Sequence, residues 1–301
     1  MPALYKADLL RAFVFSAVVL FVYIESLRIL FRQFFRRKDA KHRGWYQRLI
    51  ITLAIFGVGC FIWGYFIEPN RISITHLTLK SDKIKEGQTI RIVHLSDLHI
   101  EKEAYRELTV PELVKQEKPD LILLTGDYLN RNSGQEALKK FLEKLKACSK
   151  FGVYAVQGNF EMWFQSDAVF KELGIKLLDG ESVALDINGS QVMITDVSRG
   201  IDMQAGYKIH ISHYPDFIPE ISRAGADLYL CGHTHGGQVR MPFYGALMTF
   251  SRLGKRYEMG YYREGNMDAY VTRGIGLEPG ALASARFLCP PEITVIDIEG
   301  E

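Results

Sequence analysis

The stretch "LYLCGHTHGGQV", Leu228 to Val239, decides the fold. An apolar run leads into His233 and His235, two residues apart and surrounded by Gly232, Gly236 and Gly237. A short apolar run closed by glycines reads as a buried strand that ends in a tight turn. Other strands of the chain end in the same manner. "TIRIVHLSD" (Thr89–Asp97) runs into Asp97 and His99, and "DLILLTGD" (Asp120–Asp127) into Gly126 and Asp127. "FGVYAVQGN" (Phe151–Asn159) ends in Gly158 and Asn159, and "YKIHISH" in His213. Open α/β sheets bind ligands at the carboxyl ends of their strands.

Taken singly, each of these features has an ordinary explanation. An Asp-x-His pair forms turns and surface pairs, Asp127 or Asn159 alone caps a helix or turn, and a lone His213 packs. The information lies in the ordered set, each member at the end of an expected strand. His94 and His210 fall inside strands and read as structural, while His42 and His76 stand outside the pattern. Asp97, His99, Asp127, Asn159, His213, His233 and His235 together offer mixed nitrogen and oxygen donors, which suits Mn, Fe, Zn or Co. The set exceeds one tetrahedral site. It suffices for two divalent ions if one carboxylate bridges them, and two such ions against two aspartates leave a positive charge that attracts phosphate.

The order Asp-x-His, Gly-Asp, Gly-Asn, His, Gly-His-x-His resembles the calcineurin-like metallophosphoesterase superfamily. The stretches "YVTRGIGLEP" and "CPPEITVIDI" are similar to its membrane-anchored bacterial branch, which includes phosphodiesterases and a pyrophosphatase acting on UDP-diacylglucosamine. The resemblance covers roughly residues 70 to 298. It implies a four-layer αββα sandwich and two divalent metal ions. By position, it assigns Asp97, His99, Asp127 and His235 to one ion and Asp127, Asn159, His213 and His233 to the other, with Asp127 bridging and Asp127, Asn159 and His233 carrying the chemistry. One departure stands out. The family motif Gly-Asn-His-Asp/Glu is here "GNFE", so Phe160 replaces a histidine that contacts the phosphate and is a candidate acid for the leaving group. Glu161 could substitute only if burial keeps it protonated.

The rest of the chain agrees with an α/β sandwich of two packed sheets with helices outside. Leu138, Phe141, Leu142 and Leu145 have helical spacing, and strand–helix–strand succession implies parallel pairing. "SVALDI" and "QVMITDV" flank "NGS", a hairpin signal. The 301 residues allow one large domain or two small ones, and 48% hydrophobic with 24% charged residues is a globular balance. A net charge of +2 excludes a bulk electrostatic case for nucleic acid. Cys60, Cys148, Cys231 and Cys289 show no disulfide or zinc spacing and read as buried thiols.

Two apolar segments precede the sandwich. Leu49 to Ile67 is uncharged and long enough to cross a core of about 30 Å as a helix. Ala12 to Ile24 is shorter, with Glu25 and Arg28 just beyond, and spans only if its ends snorkel. Between them lie Arg32, Arg36, Arg37, Lys38, Lys41, Arg43 and Arg48, and basic loops stay cytoplasmic. Whether one segment spans or both do, residues after Ile67 fall outside the cytoplasm. The expectation is an anchor at 1–69, a two-helix hairpin in a bacterial inner or plasma membrane, and a catalytic domain at 70–301. The expected function is dinuclear hydrolysis of phosphoester or pyrophosphate bonds. The alternatives are a pyrophosphatase for a nucleotide-linked lipid precursor and a metal-binding scaffold with weakened catalysis. Arg240 to Arg263 mixes basic and aromatic residues, as a packed loop or as a receptor for an amphiphilic head group.

Overall fold

The computed structural model describes residues 3–35, 44–196, 206–278 and 284–301. Arg36, Arg37, Lys38, Lys41, His42, Arg43, Val197 and Pro279, all named above, lie outside the described residues.

Strand β3 (Leu121–Thr125) illustrates how the layers form. Its residues are all buried because successive side chains point to opposite faces and both faces are covered. Ile122 and Leu124 pack with Leu138, Phe141, Leu142 and Leu145 of α4 (Gln135–Lys146). Leu121 and Leu123 pack the other way, against Ile209 and Ile211 of β8 (Tyr207–Ile211) and Leu228 and Leu230 of β9 (Leu228–Cys231). A third cluster joins Tyr229 and Cys231 of β9 to Ile218 and Ile221 of α6 (Ile218–Ala224). Helix, sheet, sheet, helix follow in order: the expected αββα sandwich.

The first sheet has the order β1 (Ser73–Ser81), β14 (Glu292–Gly300), β2 (Thr89–Leu95), β3, β4 (Val153–Val156), β5 (Lys176–Leu178). The second runs β12 (Gly260–Glu264), β13 (Met267–Val271), β9, β8, β7 (Ser190–Thr195), β6 (Ser182–Ile187). Neither sheet is purely parallel. β14 runs antiparallel to β2, β12 to β13 and β6 to β7. The hairpin at "NGS" forms as expected, with Asn188 and Gly189 both at positive φ, as a type I′ turn requires. Of the cysteines, Cys231 and Cys289 are buried, but Cys60 and Cys148 are only partly so, and all are free thiols.

Two apolar helices precede the sandwich, α1 (Ala3–Phe35) and α2 (Trp45–Ile62), the latter continued by a π-helical turn (Trp63–Ile67). Both are long and apolar enough to cross a membrane by length and composition, with mean hydropathy reaching 2.0 over an 18-residue window within Lys6–Phe35 and 2.2 over one within Trp45–Asn70. The first far exceeds the segment Ala12 to Ile24. Its flanking charges do not end it, because Asp8 pairs with Arg11 and Glu25 with Arg28 one turn apart, each at 2.6 Å. The two helices form a hairpin whose open end meets the sandwich. Thr249 donates its backbone N–H to Asp8 at 3.2 Å, and Arg286 donates its own to the Gly64 carbonyl at 2.8 Å.

Candidate metal centre

The ends of β2, β3, β4, β8 and β9 converge at one edge of the two sheets. The turns there are unusually tight. Asp97 (φ 51°), His99 (47°), Asp127 (56°), His233 (70°) and His235 (49°) all occupy the left-handed region. Such residues are uncommon outside glycine and cluster at functional sites. Neighbouring turns hold them there: Asp97 N–H donates to the Gly126 carbonyl at 2.9 Å, His99 N–H to that of Asp127 at 3.0 Å, and Gly232 N–H to that of His213 at 3.1 Å. Glycine is needed where turns touch. A Cβ on Gly232 would collide with Asp97 and Ser96, and one on Gly158 with the Asp127 carboxylate.

The side chains form two adjoining clusters, Asp97–His99–His235 and Asp127–His213–His233, each with ligand atoms within 4.8 Å of one another. His99 Nδ1–H donates to Asn130 Oδ1 at 2.6 Å, His213 Nδ1–H to the Thr125 carbonyl at 2.7 Å, and His233 Nε2–H to the Phe250 carbonyl at 3.3 Å. Those bonds turn the opposite nitrogen of each ring inward, as a lone pair on His99 and His233 and as the site's proton carrier on His213. The inward atoms crowd together with more acceptors than protons. His99 Nε2 lies 3.1 Å from His235 Nε2, and His235 Nε2 lies 3.3 Å from Asp97 Oδ1. His213 Nε2 lies 3.1 Å from His233 Nδ1, 3.0 Å from Asn159 Oδ1 and 3.2 Å from Asp127 Oδ2. Converging lone pairs with too few protons between them make a cation-shaped site, and this donor set fits two divalent ions. Asp127 stands between the clusters, its Oδ2 also 3.8 Å from His99 Nε2.

The electrostatics agree. Burial pushes His99 down to about 4 and His233 to about 3, and lowers His235 further, so these imidazoles are neutral and ready to ligate. Burial opposes charge on His213 as well, but the adjacent Asp127 carboxylate raises it to about 9. Asp127 is in turn held well below the usual carboxylate range by His213, against the effect of burial. Asp97 is raised to about 7, chiefly by burial. A proton on His213 thus occupies the place of a cation.

All seven residues named from the sequence come together here. Asn130 was missed. It orients His99 and also donates to the Leu277 carbonyl at 3.0 Å, yet it lies three residues past the Gly126-Asp127 strand end with no signal of its own. Phe160 stands beside the site, its ring edge-on to His99 with centroids 4.6 Å apart, while its backbone N–H donates to Asp127 Oδ1 at 2.8 Å. Glu161 is not a spare acid. It is buried, and it accepts backbone N–H groups of Asp127 (3.0 Å), Tyr128 (2.9 Å) and Gly158 (2.6 Å). Burial raises its carboxyl and these three donors oppose the rise, which makes Glu161 a clamp between two site turns.

Residues 90–237 match the calcineurin-like phosphoesterase family. The uncharacterized metallophosphoesterase YkuE of Bacillus subtilis is 33% identical over 269 residues, covering 82% of this chain and 92% of that protein. The phosphodiesterase YaeI of Escherichia coli is 28% identical over 259 residues, covering 79% and 92%. The UDP-2,3-diacylglucosamine pyrophosphatase LpxG of Chlamydia muridarum is 23% identical over 309 residues, covering 78% and 92%.

Proposed function

The chain belongs to the calcineurin-like phosphoesterase family and is a hydrolase, and we propose that it cleaves phosphoester or pyrophosphate bonds at a dinuclear centre while anchored in a bacterial membrane. Residues 1–69 would be the anchor and residues 70–301 the catalytic domain. The observation that carries the reading is Asp127 Oδ2, shared between two clusters of inward-turned ligand atoms. Asp97, His99, Asp127 and His235 would hold one ion, and Asp127, Asn159, His213 and His233 the other. Bound there, two divalent ions supply positive charge for phosphoryl oxygens and activate water for in-line displacement.

The chain's own groups do the positioning. Asn130, Thr125 and Phe250 fix the imidazole tautomers. Phe160 N–H and Glu161 fix the Asp127 turn. Asn159, with Oδ1 turned to His213, keeps its Nδ2 for a phosphoryl oxygen. The names of YaeI and LpxG make a phosphodiester and a nucleotide-linked lipid precursor the first substrates to test. The contacts of Gly64 with Arg286 and of Asp8 with Thr249, near the site turns, support an amphiphilic substrate. Phe160 favours a second reading, a metal-binding scaffold with weakened catalysis, but the assembled set of seven side chains weighs against it.

The test uses purified full-length protein, stripped with chelator and reloaded with Mn, Fe, Zn or Co. Phosphomonoesters, phosphodiesters and nucleotide-diphosphate lipids are then assayed. Two metal equivalents with metal-dependent turnover on one class are expected; two equivalents without turnover on any class would favour the scaffold. Metal has to displace protons from His213 and Asp97. These are bound below about 9 and about 7 respectively, so affinity should rise as pH increases from 6 to about 9 and level off above it.

Orientation is tested separately. The basic stretch Arg32–Arg48 is expected in the cytoplasm and the catalytic domain outside it. A periplasm-active reporter fused after Glu301 should then be active and a cytoplasm-only reporter silent. The reverse pattern would place the site where nucleotide-linked lipid precursors are made.

A further inference from the structure

The loop that joins β13 to β14 contains a buried cation held by backbone carbonyls. Arg286 is fully buried. Among the described residues its guanidinium has no ion-pair partner; it donates instead to carbonyls of Arg273 (2.9 Å), Gly274 (3.2 Å), Gly276 (2.7 Å) and Cys289 (3.2 Å). Burying a charge is costly unless hydrogen bonds replace its water, and the fork of a guanidinium can satisfy several carbonyls at once. The segment 273–276 is thereby wrapped around one side chain.

The outer side of that wrap lies against the first metal cluster. Ile275 N–H donates to the Ser96 carbonyl at 3.0 Å and Gly276 N–H to that of Asp97 at 2.6 Å. The fit is close enough that a Cβ on Gly274 would stand 2.7 Å from the Asp97 Cβ, and one on Gly276 would stand 2.6 Å from the His99 Cβ. Cys289, at the other end of the loop, places its Sγ–H 3.2 Å from the His235 carbonyl. Each member of the Asp97–His99–His235 cluster is therefore braced by this loop.

The same loop is tied to the end of the second apolar helix. Arg286 N–H donates to the Gly64 carbonyl at 2.8 Å, and an added Cβ on Gly64 would stand 3.1 Å from the Arg286 carbonyl. Glu68 is buried, with one oxygen accepting Cys289 N–H at 2.5 Å and the other Trp63 Nε1–H at 2.6 Å. We propose that Arg286 is a positioning residue through which the helical turns that follow α2, by way of Gly64 and Glu68, hold the Asp97–His99–His235 half of the metal centre in shape. The anchor is then part of the site's architecture as well as a tether. This rests on the two-metal reading above.

The test is metal titration of the full-length protein in detergent micelles, with equivalents and affinities measured by calorimetry and elemental analysis and folding followed by thermal melting. The variants are Arg286→Lys, which keeps the charge and loses the fork, and Glu68→Gln, which can satisfy only one of its two donors. Wild type should take up two equivalents. Each variant should retain one equivalent at wild-type affinity and bind the other about tenfold or more weakly, the scale of lost outer-shell support. Should Arg286→Lys fail to fold, Glu68→Gln decides by the same criterion. Two equivalents at wild-type affinity in the folded variants, or equal weakening of both, would overturn the inference. If wild type binds no metal, the two-metal reading fails and this inference falls with it.

Discussion

Asp127→Asn should reduce turnover on every phosphoester by about 10³-fold, the scale on which a lost charge-stabilising group acts in an enclosed site, and should reduce metal content in both clusters. The reasoning is local. Asp127 Oδ1 accepts the Phe160 N–H at 2.8 Å, and Oδ2 faces His213 at 3.2 Å and His99 at 3.8 Å. An asparagine can keep the first bond only by turning its NH2 toward the place where both clusters need an anion. The donor then meets whatever cation the imidazoles hold. The change also removes the charge that raises His213, so the proton that occupies the metal-free site is lost with the metal. The fold should survive, because asparagine tolerates the left-handed backbone that Asp127 adopts at φ 56°. Kinetics and metal analysis on the folded variant check the result. Near-wild-type turnover would sink the shared role of Asp127.

Much of this site was legible because it is built from strand ends. A strand buried on both faces gives a continuous apolar run, and the first polar residues after it must lie at the sheet's edge. Asp97, Asp127, His213 and His233 follow that rule, so their gathering is legible in the sequence. Where elements are half exposed the reading failed. The "SITHLTLKS" of β1 and the "GYYRE" of β12 mix polar and apolar residues at sheet edges and carry no buried run. The length of α1 was also misjudged, since Asp8, Arg11, Glu25 and Arg28 look like interruptions until they pair along the helix. The roles of Asn130, Glu161 and Arg286 depend on contacts between distant segments. A buried arginine whose partners among the described residues are backbone carbonyls has no side chain in the sequence to announce it.

The largest gain of function is expected from Phe160→His. An alkoxide leaving group of high pKa needs a proton in the transition state, and a positioned acid typically contributes ~10²–10⁴-fold. The structure provides no such acid at this position. The Phe160 ring stands edge-on to His99, and Glu161 is occupied by three backbone donors. The native substrate should therefore carry a leaving group that departs unaided, such as a phosphate, a nucleotide or an aryl oxygen, or supply its own hydrogen-bond donor. The substitution leaves the Phe160 backbone bond to Asp127 intact, because that bond uses the amide and not the ring. It should raise kcat/KM on an alkyl phosphodiester by about 10²-fold, the low end of an acid's contribution, and change an aryl or pyrophosphate substrate little. The added imidazole acts only when protonated. The gain should be greatest below its ordinary pKa of about 6.5 and fade as pH rises, sooner if the neighbouring cations lower that pKa. Paired substrates differing only in leaving-group pKa, assayed from pH 5.5 to 8, make the comparison. A gain of equal size on both, or one that does not fade with pH, would mean that the new side chain does not act as an acid and that no acid is needed where Phe160 stands.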